Sequence, residues 1–181
     1  MNIEETVLPG VLILTPKIYS DDRGAFSETF NLRRMSEAGL PATWVQDNFS
    51  TSRKNVLRGI HYQIEQPQGK LVRVTHGSVL DVVVDLRRSS AAFGKHVATE
   101  LSGDNGRMLW IPEGFGHAFL VLSDVAGFAY KVTDYYSRAG ERTILWDDPE
   151  LEIEWPIAAS DAIVSEKDAN GKLLGDAEVF A

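Results

Sequence analysis

The sequence predicts an all-β domain built as a sandwich or barrel of short strands. Runs rich in β-branched and apolar residues follow one another at close spacing through the middle of the chain. Turn-forming residues separate these runs, as at Gly103–Gly106 and Pro112–Gly114, and the helical signal is weak. The chain has 181 residues, 44% of them hydrophobic, which is enough for a sizeable core, so we expect one domain over residues 1–181.

The strands can be assigned in chain order. Val56–Gln63 is a half-buried strand, and Leu71–Thr75 leads through a turn at His76–Ser78 into the valine-rich strand Val79–Leu86. Because side chains alternate along a strand, Asp81, Val83 and Asp85 share one face of that strand. Further short strands are expected at His96–Leu101, Met108–Ile111, Ala118–Leu122, Gly127–Thr133 and Thr143–Trp146.

Two short helices are expected near the ends of the chain. Asn31–Ala38 has helical character that Gly39 and Pro41 would end. Ser165–Asp168 resembles a capped helix start, with Ser165 as the N-cap.

Composition excludes several classes of function. A net charge of -8 argues against general binding to nucleic acid or to anionic membranes, although a pocket can be locally basic. The absence of cysteine removes disulfides, thiolate nucleophiles and Cys-ligated metals. No signal peptide and no run of apolar residues long enough for a membrane helix is found, so we expect a soluble cytoplasmic protein.

The strand at Val56–Gln63 carries polar groups that are costly to bury. Taken alone, His61 is more often a core histidine with both nitrogens satisfied than a general base. Arg58 lies at the opposite parity, but a β-bulge at Gly59 would turn both side chains toward one cavity. Ordinary structural roles are also open to other polar residues when each is taken alone: Lys70, His117 and Tyr130.

A metal site of the cupin type is weakly supported. Such sites use a His-x-His pair, a nearby glutamate and a later histidine. None of the four histidines forms a His-x-His pair, and His61 and Gln63 stand where two histidine ligands would be expected. We therefore expect no metal.

Many ordered motifs together resemble the dTDP-4-dehydrorhamnose 3,5-epimerase family. The likeness runs in order from about residue 1 to about residue 170 and is far more specific than any single motif. The matching segments are Arg23-Gly24 with Glu28, Gln46–Asn48, Leu57–Gln63, Gln68–Val72, Asp81–Arg87, Pro112–His117, Tyr130-Lys131 with Tyr135-Tyr136, Ile144–Pro149 and Ser165–Asp168.

The resemblance implies a cupin-type jelly roll that is dimeric and uses no metal or other cofactor. The substrate would be a dTDP-linked 4-keto-6-deoxyhexose on the route to dTDP-L-rhamnose. By the family motifs, His61 would be the base, Asp168 its partner, Tyr130 the acid on the opposite face of the sugar, and Lys70 the group beside the keto oxygen. The residues holding nucleotide and sugar would be Arg23, Glu28, Gln46, Asn48, Arg58, His117, Glu141 and Lys167, with the segment around Arg23 and Glu28 reaching the neighbouring subunit's site.

The required chemistry agrees with these assignments. Epimerisation beside a ketone needs a base on one face, a proton donor on the other and a cation near the enolate oxygen. Arg23, Arg58 and Lys167 are candidates for binding pyrophosphate. The rings of Tyr19 and Phe26 are candidates for stacking on thymine, and Gln63 would support the pocket.

Two other functions stay open. A mono-epimerase or ketoisomerase acting on a related dTDP-keto-sugar would share most of these motifs. A sugar-binding cupin without catalysis is the alternative from another class, although it would have no need of an acid and a base on opposite faces. The chain also exchanges small residues around His117, with Gly116 and Ala118 where the family is expected to have alanine and glycine, and we expect this exchange to be tolerated.

Overall fold

A computed structural model describes all residues, 1–181, and contains two facing antiparallel sheets and a separate hairpin. The strands are β1 (Asn2–Glu5), β2 (Leu12–Thr15), β3 (Ile18–Asp21), β4 (Gly24–Ser27), β5 (Gln46–Arg53), β6 (Leu57–Gln63), β7 (Lys70–His76), β8 (Ser78–Asp85), β9 (His96–Ser102), β10 (Met108–Ile111), β11 (Phe115–Val121), β12 (Val125–Val132) and β13 (Glu141–Thr143). The helices are α1 (Leu32–Glu37) and α2 (Glu166–Ala169), and two 3-10 turns lie at Ala159–Asp161 and Leu174–Asp176.

The strand order is that of a jelly-roll sandwich. One sheet has six strands in the order β1-β2-β10-β7-β12-β5, the other has five in the order β13-β6-β11-β8-β9, and β3 pairs with β4. Strands β5 to β8 alternate between the two sheets along the chain, as do β10 to β12. The predicted all-β fold with a few short helices, of the cupin type, is confirmed.

The main core lies between the sheets, and a second one lies behind the five-stranded sheet. Val83 of β8 belongs to the core between the sheets, whereas Val82 and Val84 belong to the cluster on the other side. Leu151 and Leu174 from the C-terminal part of the chain cover that second cluster. Strand β8 is therefore buried on both faces, which explains its nearly continuous valine run.

Both predicted helices form, and α2 has the predicted N-cap, Ser165, whereas Asn31, expected inside the first helix, is the N-cap of α1. The side chain of Asn31 accepts a hydrogen bond from the backbone N–H of Arg34, and α1 ends before Gly39, which has a φ of +82°. The side chain of Ser165 accepts from the backbone N–H of Asp168 at the start of α2. Neither helix has the length and apolar content needed to cross a membrane.

The expected strands are found, with one displaced and several added. The strand expected at Thr143–Trp146 lies earlier, at Glu141–Thr143, because its pairing with β6 begins opposite Gln63. The five strands β1 to β5 were not expected from the sequence. Strand β5 reads QDNFSTSR, and this largely polar sequence hides its period-two pattern.

Candidate active site

A cavity of about 300 Å³ lies between the two sheets, at the end formed by β5, β6, β7, β11 and β12. His61 lines it from the five-stranded sheet, and Tyr130 lines it from the six-stranded sheet. The lining residues are Asn48, Phe49, Ser50, Arg58, His61, Lys70, His117, Phe119, Phe128 and Tyr130. Predicted site residues from five separate segments of the sequence therefore line the same cavity.

A β-bulge in β6 turns two side chains of opposite parity into this cavity. His117 of β11 pairs with His61, but Phe119 pairs with Arg58, so β6 contains one extra residue in this interval. Gly59 adopts a φ of +124°, and a Cβ added there would lie 2.5 Å from the Cβ of Ala118. The predicted bulge at Gly59 is confirmed, and both its conformation and its neighbour require glycine.

His61 forms a close pair with a buried carboxylate. Its Nε2 lies 2.6 Å from Oδ1 of Asp168, whose other oxygen accepts a hydrogen bond from the backbone N–H of Gly59. A proton on Nε2 that is donated to Asp168 leaves the lone pair of Nδ1 free, and Nδ1 makes no hydrogen bond to the protein. Burial lowers the pKa of His61 below the usual imidazole value, although Asp168 opposes that effect. The imidazole is therefore neutral near pH 7 and equipped to accept a proton.

The helix α2 places the carboxylate behind the imidazole. Asp168 is 2% exposed, and the capping hydrogen bond to Ser165 fixes the turn that carries it. Burial acts to raise the pKa of Asp168. Three interactions outweigh burial and lower that pKa below the usual value: the hydrogen bond from His61, the positive charge of protonated His61 and the hydrogen bond from the backbone N–H of Gly59. The carboxylate therefore stays ionised beside the ring.

Lys70 and Tyr130 both lie in partly desolvated positions on the six-stranded sheet. Burial lowers the pKa of Lys70 to about 8, while the charges of Asp81 and Glu141 act in the opposite direction. Burial raises the pKa of Tyr130 above its usual value, although the charge of Arg58 opposes this. The Tyr130 hydroxyl makes no hydrogen bond to the protein, so it has no structural partner and is free to face the cavity.

Three other cavity residues are held by polar neighbours. Two nitrogens of the Arg58 guanidinium donate to the Ser52 hydroxyl at 3.1 and 3.0 Å. The side chain of Gln46 donates to Oδ1 of Asn48 at 2.8 Å, which places Gln46 beside the cavity. Nε2 of His117 lies 2.9 Å from Oδ2 of Asp81, a fully buried residue that we did not single out as part of a site from the sequence.

An ion pair close to His61 joins two other predicted residues. Lys167 donates to Glu141 at 2.9 Å, and the hydroxyl of Tyr136 donates to the same carboxylate at 3.2 Å. Burial acts to raise the pKa of Glu141, but Lys167, His61 and the Tyr136 hydroxyl together lower it below the usual value. Tyr136 was not among the predicted site residues, and its membership of a family motif was the only signal for it.

Arg23 and Glu28 contact neither the cavity lining of their own chain nor the groups around His61. Arg23 is in the β3–β4 hairpin, where it pairs with Asp21 and its side chain is 90% exposed. Glu28 follows that hairpin and pairs with Arg34 at 3.0 Å. Within one chain, the structure therefore does not bring Arg23 and Glu28 to His61.

The cavity is supported by packing that the sequence only partly indicated. Gln63 is buried and does not line the cavity; its amide binds the backbone carbonyls of Gln66 and Tyr135 and the backbone N–H of Ser137, which ties two loops together. A Cβ on Gly116 would lie 2.6 Å from Cγ2 of Ile60, so the small residue before His117 fits closely against β6. No group of three or more His, Cys, Asp or Glu side chains is arranged to hold a metal ion.

Comparisons with known proteins agree with this geometry. The family model described as dTDP-4-dehydrorhamnose 3,5-epimerase matches residues 5–176. The chain is 50% identical to the dTDP-4-dehydrorhamnose 3,5-epimerase of Pseudomonas aeruginosa, covering 99% of both chains, and 36% identical to the dTDP-4-dehydrorhamnose 3-epimerase of Streptomyces niveus, covering 98% of this chain and 86% of the other.

A solved structure shows the same fold. It is the dTDP-6-deoxy-D-glucose-3,5-epimerase of Legionella pneumophila in complex with dTDP-4-keto-L-rhamnose. The TM-score is 0.94 at 50% identity, with 98% of this chain and 94% of the other covered. The chain belongs to the dTDP-4-dehydrorhamnose 3,5-epimerase family.

Proposed function

We propose that this protein is an isomerase that inverts C3 and C5 of dTDP-4-dehydro-6-deoxy-D-glucose to give dTDP-4-dehydro-L-rhamnose, in dTDP-L-rhamnose biosynthesis. The observation that carries the proposal is that His61, held by Asp168, and Tyr130 line one cavity from opposite sheets. Lys70 lines the same cavity. A base, an acid and a cation around one space are the groups that epimerisation beside a ketone requires.

The reaction begins with proton removal. Nδ1 of His61 takes the proton from the carbon beside the C4 ketone, and the electron pair left behind delocalises onto the keto oxygen as an enolate. The Lys70 ammonium stabilises that oxygen, and Asp168 stabilises the imidazolium that forms. The chemistry needs no cofactor, because the ketone itself makes the neighbouring hydrogens acidic.

Inversion follows when the proton returns on the other face. The phenol of Tyr130 donates its proton to the carbon, the enolate electron pair forms the new C–H bond, and the phenolate is reprotonated from solvent. His61 gives its proton to solvent, and the cycle is repeated at the second carbon. The raised pKa of Tyr130 keeps the phenol protonated at neutral pH, which supports its role as the donor.

The remaining predicted residues bind the nucleotide and the sugar in this proposal. Arg58 is oriented by Ser52 with other guanidinium N–H groups available for a phosphate oxygen. Lys167 adds a second cation near the cavity, paired with Glu141. Three amide or imidazole side chains in or beside the cavity supply hydrogen bonds to the substrate: Gln46, Asn48 and His117.

We also propose a homodimer in which the β3–β4 hairpin of each chain enters the partner's cavity. The hairpin presents exposed rings at Tyr19 and Phe26, which are 55% and 70% exposed, together with Arg23. Aromatic faces and a guanidinium suit thymine and pyrophosphate. Chromatographic mass measurement tests the dimer, and a monomer would contradict it.

Complementation tests the shared site more sharply. Arg23→Ala and His61→Ala chains, each with little activity alone, are unfolded together and refolded as an equal mixture. If Arg23 acts in the partner's site, half of the dimers are mixed and each mixed dimer has one intact site, so about a quarter of wild-type activity returns. If the two residues serve the same chain's site, no activity returns.

Deuterium wash-in tests the proposed function. The protein is incubated with dTDP-4-keto-6-deoxyglucose in heavy water, and the exchanged positions are identified by NMR. Exchange at C3 and C5, with dTDP-L-rhamnose formed after a reductase is added, supports the double epimerase. Exchange at one carbon favours the mono-epimerase, a reaction named for the Streptomyces niveus relative, and no exchange favours a non-catalytic sugar-nucleotide-binding protein.

A further inference from the structure

Asp81 is a carboxylate placed on an apolar face. It lies on β8 with Val79 and Val83, which both belong to the main core between the sheets, and Asp81 itself is 0% exposed. One oxygen, Oδ2, is 2.9 Å from Nε2 of His117. The other oxygen, Oδ1, is buried and has no hydrogen-bond partner in the protein. Burying a carboxylate with one oxygen unpaired lowers the stability of the fold unless a positive charge lies nearby.

Lys70 supplies that charge. Its side chain is half-buried, and its ammonium makes only a long hydrogen bond of 3.5 Å, to the backbone carbonyl of His61. Burial raises the pKa of Asp81, while the charges of His117 and Lys70 both act to lower it. The interaction is mutual, since the charge of Asp81 counters the effect of burial on the pKa of Lys70.

We infer that Asp81 is a positioning residue: a buried counter-charge that holds Lys70 as an ammonium and fixes His117 on the keto-oxygen side of the cavity. The inference rests on the proposed function for the role of Lys70. Asp81 does not line the cavity and does not touch the substrate in this arrangement. It acts through the two side chains that do line it.

The charges around Lys70 make Asp81 the group on which its protonation depends. Glu141 of β13 also favours the ammonium, but that carboxylate already pairs with Lys167. Lys167 of α2 opposes the ammonium. His61 and Arg58 of β6, His117 of β11 and Tyr130 of β12 line the cavity with Lys70, and none of these four carries a negative charge in its ordinary state at neutral pH. The Asp168 carboxylate lies behind His61, to which it is hydrogen-bonded. Of the two carboxylates that favour the ammonium of Lys70, only Asp81 forms no ion pair with another lysine or an arginine, and its side-chain hydrogen bond is to His117.

The test is Asp81→Asn, which keeps the shape of the side chain and an acceptor for His117. The pKa of Lys70 is measured by NMR of ¹³Cε-labelled lysine in the substrate-free protein, with its signal assigned from Lys70→Met. We expect the pKa of Lys70 to fall from about 8 by roughly one unit or more in Asp81→Asn. The alkaline limb of kcat/KM against pH should move to lower pH by the same amount, and kcat/KM at pH 7.5 should fall roughly threefold or more, because a smaller fraction of Lys70 is then protonated.

Asp85→Asn is the matched control. Asp85 lies on the same strand and is also fully buried, but its carboxylate binds Arg87 and Ser90. This variant should lose stability without moving the pKa of Lys70 or the alkaline limb. If Asp81→Asn behaves like Asp85→Asn, with lower stability and an unchanged Lys70 pKa, Asp81 is only structural and the inference is overturned.

A second measurement covers the case in which Asp81→Asn does not fold. In Lys70→Met, which retains Asp81, removal of the ammonium should raise the pKa of the Asp81 carboxyl, observed through its ¹³Cγ shift. An unchanged Asp81 pKa would overturn the coupling. Failure of the proposed function is recognised separately, because wild-type protein would then show no deuterium exchange while the NMR titrations of Lys70 and Asp81 could still reveal the coupling.

Discussion

Nε2 of His61 lies 2.6 Å from Oδ1 of Asp168, a residue 107 positions later in the chain. The contact joins a bulged strand of the five-stranded sheet to a short C-terminal helix. A carboxylate in this position fixes which nitrogen of the ring carries the proton and stabilises the imidazolium. The base therefore depends on a residue that itself does not need to reach the sugar.

Asp168→Asn should lower kcat on the order of a thousandfold to ten-thousandfold, because an asparagine amide can donate to Nε2 and move the ring proton to Nδ1. The loss is measured as the rate of deuterium incorporation. Glu166→Gln is the control, since it makes the same charge change in the same helix with an exposed side chain that forms no ion pair. Equal rates for the two variants would show that Asp168 does not contribute to catalysis.

Tyr130→Phe should retain some exchange while formation of inverted product falls about a hundredfold to ten-thousandfold, because the base still removes protons but the donor on the other face is missing. His61→Ala should instead abolish exchange at both carbons with the fold intact. Product is followed by coupling to a reductase. The exposed Tyr135, changed to phenylalanine, is the control. Inversion at the wild-type rate in Tyr130→Phe would show that another group is the acid.

The pH profile of kcat/KM should be bell-shaped. His61 must be neutral to act as the base, and burial lowers its pKa below 6.5. As the pH is raised, kcat/KM should therefore increase, with a midpoint below 6.5. Lys70 must be protonated to stabilise the enolate, and its pKa is about 8, so activity should fall as the pH rises through about 8. A rate that stays constant to pH 10 would contradict the role of the ammonium.

Gly59→Ala should destabilise the fold and disturb the cavity together. The added Cβ meets Ala118 at 2.5 Å in a backbone conformation that disfavours side chains, so the free energy of unfolding should fall by roughly 2–5 kcal/mol. Gly24→Ala is the matched control, because Gly24 has a φ of +127° with no heavy atom near the added Cβ, and it should lose roughly 1–3 kcal/mol. Urea unfolding measures both, and equal losses would show that the contact with Ala118 is unimportant.

The sequence predicted those parts of the fold and site that depend on local pattern. The valine-rich run of β8, the N-cap at Ser165 and the bulge at Gly59 all follow from short-range chemistry, and all are found. The polar strand β5 was missed because its less exposed face is made of glutamine, asparagine and serine rather than apolar residues.

The partners of the polar groups were out of reach of local pattern. Asp81 was placed on the correct strand, but its contact with His117 depends on how β8 and β11 pair. The pair formed by His61 and Asp168 was indicated only by resemblance to the family, since no spacing along the chain implies a contact between them. Such contacts are set by the packing of distant segments.

The most direct measurement is a crystal structure of the protein with a dTDP-4-keto-sugar or a stable analogue bound in the cavity. The account predicts that the sugar ring lies between His61 and Tyr130, with Nδ1 of His61 within about 3.5 Å of a carbon beside the ketone and the phenol on the opposite face. A sugar that has both side chains on the same face, or that lies outside the space between them, would contradict it.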